Sequence, residues 1–306
     1  MNLFISSTEE LAIKKLPKDT VNFDTKTERS NTLNRLRNIL ALEIESLLKK
    51  NNLLKPPFEL TKIKTLGQVK IEYEFLPRNQ VGADGCLDTT PEGFVVKIDK
   101  ELVEKPYNRF RYRSTIAHEL GHTFFYDTTQ LPPKKLGTEY TRKNFLLEEG
   151  LCYYLGREFL MPKFSISSLL ATDCTRAVKS ISNLEFFKTK YVVSSDIIGY
   201  RMITDLEIWD CIFIKFVEDG NLFRSKTKLK SKKSPIYKKM KIPKYVPIHK
   251  KSSEWVKKLS EHITLTIKNL QFQELISLDK HFIALDSKVE ARNPISIVII
   301  AYEEVD

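Results

Sequence analysis

The apolar residues of this chain change their period near residue 208, and that change constrains the fold more than any other feature. Before it the spacing is mostly helical. Leu33, Leu36, Leu40, Ile44 and Leu47 follow one helix face, with Ser30 as the expected cap and Asn51-Asn52 as the end. Further helices are expected over about 108–126, 143–160 and 180–206, the last interrupted at Ser194-Ser195-Asp196. Two strands lie among them. Val69, Ile71, Tyr73 and Phe75 alternate with polar residues up to Pro77, and Gly93 to Asp99 carries Phe94, Val95, Val96 and Ile98. Beyond residue 208 the period is two: Ile212, Ile214 and Phe216, then Ile263, Leu265 and Ile267, then Ile283 and Leu285, then Ile295, Ile297 and Ile299. One helix, about 252–259, is expected among these strands.

The reading is therefore α+β: a helical first part with a small sheet, then a strand-rich α/β second part. With 306 residues the chain has room for about two domains. The expected division is an N-terminal extension over 1–28, which lacks a clear period, a domain over 29–165, a helical connector over 166–208 and a C-terminal domain over 209–306. A hydrophobic fraction of 42% excludes wholesale disorder. The longest apolar run, Ile295 to Tyr302, is broken by Ser296, and a membrane span needs about 20 residues, so none is expected. Leu3-Phe4-Ile5 is followed closely by Glu9 and Glu10, which does not describe a signal peptide. Cys86, Cys152, Cys174 and Cys211 are scattered without a Cys-x-x-Cys pair, so a reducing cytoplasm is the expected compartment.

The net charge is +11, but twelve basic and no acidic residues fall between Arg224 and Lys251. Subtracting these twelve leaves −1 for the rest, so the basicity is local. Lys226, Lys228, Lys230 and Lys232 alternate as on one strand face. Such a row either protects an exposed strand edge or docks nucleic acid or an acidic protein.

The chemistry concentrates in His118-Glu119-Leu120-Gly121-His122. On a helix, residues four apart share a face, so both imidazoles reach one metal ion, and Glu119 stands where it can take a proton from water on that ion. Ile116, Leu120 and Phe124 supply a separate apolar stripe, while Ala117 and Gly121 allow close helix packing. A hydrolytic site needs a third protein ligand. The other histidines, His249, His262 and His281, are remote in sequence, so a carboxylate of the following helix is favoured, either Glu148 or Glu149. Glu149 shares its helix face with Cys152, Tyr153, Gly156 and Leu160, where small residues admit another helix, and is preferred over Glu148. Two histidines and a carboxylate hold zinc or manganese.

The stretch Arg113-Ser-Thr-Ile-Ala-His-Glu-Leu-Gly-His122, then Glu149-x-x-Cys152, then Glu158-Phe-Leu-Met-Pro162, resembles the ImmA/IrrE family of metallopeptidases. Gly85-Cys86-Leu87 and the strand Gly93 to Asp99 are similar to the family's lead-in, and the likeness spans about residues 30–165. It departs at Tyr154-Leu155-Gly156, a packing position where the family often has Phe-Ala. The resemblance implies a zincin-like helical bundle against a small, mainly antiparallel sheet. It also implies a zinc-type, site-specific endopeptidase with His118, His122 and Glu149 as ligands and Glu119 as catalytic base. Characterised members cut helix-turn-helix transcriptional repressors, which releases mobile-element or stress-response genes. By the same likeness the C-terminal domain is expected to be a GAF-like docking or sensing module.

Residues 191–201 are also similar to a stretch of larger members and read as helix, turn, helix, with packing favoured over DNA reading because Arg201 is their one basic residue. Tyr153 and Tyr126 are candidate donors to a tetrahedral oxyanion, with a packed place in the core favoured for either. Two other expectations stand beside repressor cleavage: a binding regulator that works through the basic segment 224–251, and a toxin-like or phage-defence protease.

Overall fold

The computed structural model describes residues 7–17, 20–137, 141–220, 222–233, 237, 240, 242–246, 254–278, 281–292 and 295–303. The architecture is α+β, and the chain forms two compact units. Unit one comprises residues 1–168 and 191–193; unit two comprises 169–190 and 194–306. The division expected near residue 208 thus falls earlier, and the connector helices are shared out instead of standing apart.

Unit one opens with α1 (Ser7–Lys15), where the sequence reading expected an extension without a clear period. Leu11 and Ala12 are fully buried, so the helix belongs to the core despite its short apolar stripe. Helix α2 (Lys26–Lys50) starts at Thr25, not Ser30. Thr25 and Glu28 form a reciprocal capping box: each side chain accepts from the other's backbone N–H at 3.1 Å. Its buried stripe is Thr32, Leu36, Leu40, Ile44 and Leu48, a strict i+4 repeat. Each such leucine contributes about 1.5–3 kcal/mol when removed from water.

Strands β1 (Thr65–Leu66), β2 (Val69–Leu76), β3 (Gly85–Thr90) and β4 (Gly93–Asp99) form a sheet of order β1-β2-β4-β3, with β2 and β4 parallel and the outer pairs antiparallel. Gly93 is required where β4 meets β2: a Cβ there would lie 2.1 Å from the Lys70 carbonyl oxygen. The short helices α3 (Arg78–Val81) and α4 (Lys100–Glu104) lead to α5 (Arg109–His122). A small hairpin of β5 (Tyr126–Asp127) and β6 (Lys134–Lys135) precedes α6 (Arg142–Leu160) and α7 (Lys163–Thr172). Unit one is completed by residues 191–193. The Tyr191 ring is fully buried, 6.4 Å from Phe58, its hydroxyl is 2.9 Å from Ser165 Oγ, and Arg113 Nε donates to the Val192 carbonyl at 3.1 Å.

Unit two holds α8 (Ile181–Tyr191, to Lys190), α9 (Ser195–Gly199) with its continuation as a π-turn (Tyr200–Asp205), α10 (Glu254–Asn269) and a six-stranded sheet. The strands are β7 (Ile212–Asp219), β8 (Leu222–Lys230), β9 (Tyr245–Val246), β10 (Gln271–Leu278), β11 (His281–Arg292) and β12 (Ile295–Glu303). Their order is β10-β11-β12-β7-β8-β9, antiparallel throughout. On one face α10 packs Trp255, Leu259 and Ile263 onto Ile212, Ile214, Ile283, Leu285, Ile297 and Ile299. On the other, Asp286 accepts from the Ile181 N–H at 2.7 Å, and Glu290 pairs with Lys188 at 3.2 Å and Lys215 at 2.7 Å.

The strand expected at Ile263, Leu265 and Ile267 is instead the second half of α10, which runs well past the expected end near 259. The reason lies in the i+4 row Trp255, Leu259 and Ile263, buried while Leu265 stays 36% exposed. The alternation there comes from β-branched Thr264 and Thr266, and Thr266 Oγ1 donates back to the His262 carbonyl at 2.7 Å, as helical threonines do. The expected packing role of residues 191–201 matches what is seen: Arg201 is fully buried within 3.7 Å of Asp205 and offers nothing to a phosphate.

The basic row is only partly a strand. Arg224, Lys226 and Lys228 are exposed on β8, Lys230 is half-buried and donates to the Met240 carbonyl, and Lys232 follows the strand's end. Lys238, Lys239, Lys241, Lys250 and Lys251 lie outside the described residues. No helix among the described residues is long and apolar enough to cross a membrane.

Candidate metal centre

Helices α5 and α6 cross with almost nothing between their backbones. A Cβ on Gly121 would sit 3.1 Å from the Cys152 carbonyl oxygen, and one on Gly156 would sit 3.3 Å from the His118 nitrogen. These small residues, about one turn apart along the crossing, bring the C-terminal half of α5 against α6. The sequence-expected residues meet at this crossing. His118 and His122 project from one face of α5, and Glu149 projects toward them from α6.

The geometry suits a metal ion. His118 Nε2 and His122 Nε2 are 3.2 Å apart. Glu149 straddles them, with Oε2 3.3 Å from His118 Nε2 and Oε1 3.3 Å from His122 Nε2. Taking one ligand atom from each residue, the three donors all lie within 4.8 Å of one another, close enough to share one ion. The side chains of both histidines are 16% exposed and that of Glu149 is 22% exposed, which leaves an approach from solvent. Nitrogen and carboxylate donors match zinc or manganese.

Glu148 is not a member of the triangle. It lies behind His122, with Oε1 3.2 Å from Nδ1. Two more donors hold it: Lys135 Nζ at 2.9 Å on Oε1 and Ser7 Oγ at 2.6 Å on Oε2. Burial alone would raise this carboxyl, but the hydrogen bonds from His122, Ser7 and Lys135 hold it down at about 2. A carboxylate on Nδ1 makes that nitrogen the donor and leaves the Nε2 lone pair facing the site. Burial lowers the His122 imidazole, and the Glu148 hydrogen bond with the charges of Glu119 and Glu149 overcomes this and raises it. His118 has no such brace: its Nδ1 is buried without a partner among the described residues. Burial, then the neighbouring His122, pushes it down to about 4.

Glu119 is buried, 7% exposed, and burial pushes its carboxyl up to about 7. Without an ion the fold therefore favours its neutral form. The stability it contributes is full below about pH 4.5 and is lost as pH rises to about 7. His118 works the other way, losing stability as pH falls from 6.5 toward 4. The two partly cancel, so a difference measurement is needed. Metal-free Glu119→Gln should gain stability over metal-free wild type steadily from about pH 4.5 to 7 and hold that gain above. Thermal melts of both proteins in chelator across this range check it, and a pH-independent difference would contradict the raised Glu119.

Of the two candidate oxyanion donors, Tyr153 is 60% exposed with its ring 4.5 Å from that of His118. Tyr126 instead packs edge-on against Phe94 at 5.2 Å. Sequence reasoning missed Ser7 and Lys135. The pattern of Glu9 and Glu10 before Lys14 and Lys15 is a helix signal and could have revealed α1, but nothing local announces its contact with Glu148. Compared with models of known protein families and with curated proteins, the sequence matches none.

Proposed function

We propose that the protein is a metal-dependent, site-specific endopeptidase of the zincin-like ImmA/IrrE type, acting on a cytoplasmic protein. The observation that carries this reading is the convergence of His118, His122 and Glu149 on one point with buried Glu119 next to them in sequence and space. His118, His122 and Glu149 would hold zinc or manganese, which when bound would supply Lewis acidity to a scissile carbonyl and to water. Glu119 takes the water proton and delivers it to the leaving amine. Glu148 keeps the His122 ring turned so that Nε2 faces the substrate side. Tyr153, exposed beside His118, offers a phenol to the developing oxyanion.

The proposed substrate is a helix-turn-helix repressor, and the second unit, which we read as a GAF-like docking or sensing module, presents it. Exposed Arg224, Lys226 and Lys228 give that module a basic face for an acidic protein or for DNA still held by the repressor. New protein N-termini in cells carrying wild type or Glu119→Gln, with and without DNA-damaging stress, test the reading. One dominant terminus within a helix-turn-helix protein, present only with wild type, is expected. Many termini would replace it with a broad, toxin-like protease. No difference between the strains would reject proteolysis under these conditions in favour of a binding regulator.

A further inference from the structure

We infer that helix α1 is a working part of the metal centre: Ser7 locks Glu148, Glu148 locks the His122 ring, and seating of α1 thereby sets the affinity of the site for its ion. The inference rests on the metal-centre reading above and goes beyond it by assigning a positioning role to a residue 141 positions from the carboxylate it holds.

Glu148 is 5% exposed, and a buried carboxylate is costly unless every lone pair finds a donor. Oε1 has two, Lys135 and His122. Oε2 has Ser7, at 2.6 Å, a short bond to a hydroxyl that is itself 6% exposed. Removing that hydroxyl leaves Oε2 without its donor, and the carboxylate must turn to recover one. The His122 ring then has a second, poorer partner within reach, because Cys152 Sγ lies 3.3 Å from the same Nδ1. A ring that drifts toward sulfur takes Nε2 out of the triangle.

The rest of α1 is arranged so that its docking and this brace form together. Thr8, Leu11 and Ala12 are buried. Glu10 Oε2 accepts from the Gly137 N–H at 2.5 Å, and Lys14 Nζ donates to Asp127 at 3.0 Å. Both partners belong to the β5–β6 hairpin and the turn after it, the same segment that supplies Lys135. One face of α1 thus grips the hairpin while its first residue grips Glu148. Coupling of this kind is reciprocal: if seating α1 strengthens metal binding, metal binding strengthens the seating of α1.

The test uses the full chain and zinc as the probe. Zinc affinity by chelator competition is measured for wild type, Ser7→Ala and Ser7→Thr, each shown to be folded by circular dichroism. Hydrogen exchange of the α1 amides is followed with and without zinc. Ser7→Ala should bind zinc about tenfold more weakly, the scale of loss for partners outside the ligand set, while Ser7→Thr, which keeps the hydroxyl, should bind within about threefold of wild type. Zinc should slow exchange in α1 of the wild type and do so less in Ser7→Ala. Equal affinity of Ser7→Ala and wild type would overturn the inference, as would a Ser7→Thr as weak as Ser7→Ala. Should Ser7→Ala fail to fold, the wild-type exchange decides alone, and α1 amides indifferent to zinc would overturn it. A wild type that binds no zinc would reject the metal centre as well, which separates the two failures.

Discussion

Glu119→Gln is expected to keep its metal and to lose about 10²- to 10⁴-fold in cleavage rate, the span that a positioned general base contributes. The substitution is chosen for its shape. Glutamine occupies the same buried volume and carries no charge, and the ion-free fold already favours a neutral group there, since burial, with the Glu149 charge beside it, lifts the carboxyl to about 7. The variant should therefore fold at least as well as wild type. His118, His122 and Glu149 are untouched, so bound zinc should remain near one equivalent. Single-turnover cleavage of the target found by N-terminal profiling, with metal content on the same samples, gives both numbers. A variant that loses metal and activity together would make Glu119 part of the ligand set. One that cleaves within tenfold of wild type would remove it from the mechanism.

The second large effect is expected from a residue with no side chain. Gly121→Val places carbon where the Cys152 carbonyl oxygen and Cα stand 3.1 and 3.2 Å away, and neither is the free end of a flexible side chain. Helices α5 and α6 must separate. Overpacking of this kind costs about 1–3 kcal/mol in stability, but the effect on the centre should be larger. The His118–Glu149 and His122–Glu149 separations are both 3.3 Å, and a shift of about an ångström in α6 takes Glu149 out of bonding range of an ion held by the histidines. Zinc affinity should fall at least about a hundredfold, the upper end of what distortion outside the ligand set produces. Gly150→Ala is the control on the facing helix α6. Nothing lies within 4 Å of a Cβ there, so alanine should raise stability by up to about 1 kcal/mol and leave zinc binding alone. Denaturant unfolding in chelator and zinc competition on both variants separate the two terms. Wild-type zinc affinity in Gly121→Val would show that the close crossing is not what positions Glu149.

The contrast between these glycines explains why the meeting of His118, His122 and Glu149 was legible in the sequence. Helical periodicity alone puts His118 and His122 on one face, and the small residues Gly121, Cys152 and Gly156 mark where two helices touch. Glu149 follows from sharing the face that Cys152 and Gly156 present. The role of Glu148 was not legible, because it is decided by Lys135, thirteen residues before it, and by Ser7 at the other end of the unit. No local rule encodes contacts of that range. Helix α1 was missed because Leu11 and Ala12 are its only buried apolar residues, too few to print a period on the sequence. Helix α10 was half missed for the opposite reason, since β-branched residues produced a period of two inside a helix. Outside that helix the alternation did mark strands of the second unit, as at Ile212 and Ile214, Ile283 and Leu285, and Ile297 and Ile299 on the α10 face.

The return of residues 191–193 to the first unit has a consequence for descent. Tyr191 fills a place against Phe58, and Arg113 is tied to the Val192 carbonyl, so the first unit is whole only when the chain has passed through residues 169–190 and come back. One recombination joint, wherever it is placed, carries away either a gap in the first unit or a fragment of the second. The two units thus cannot be parted at any single point of the chain: an exchange through one joint leaves one of them incomplete.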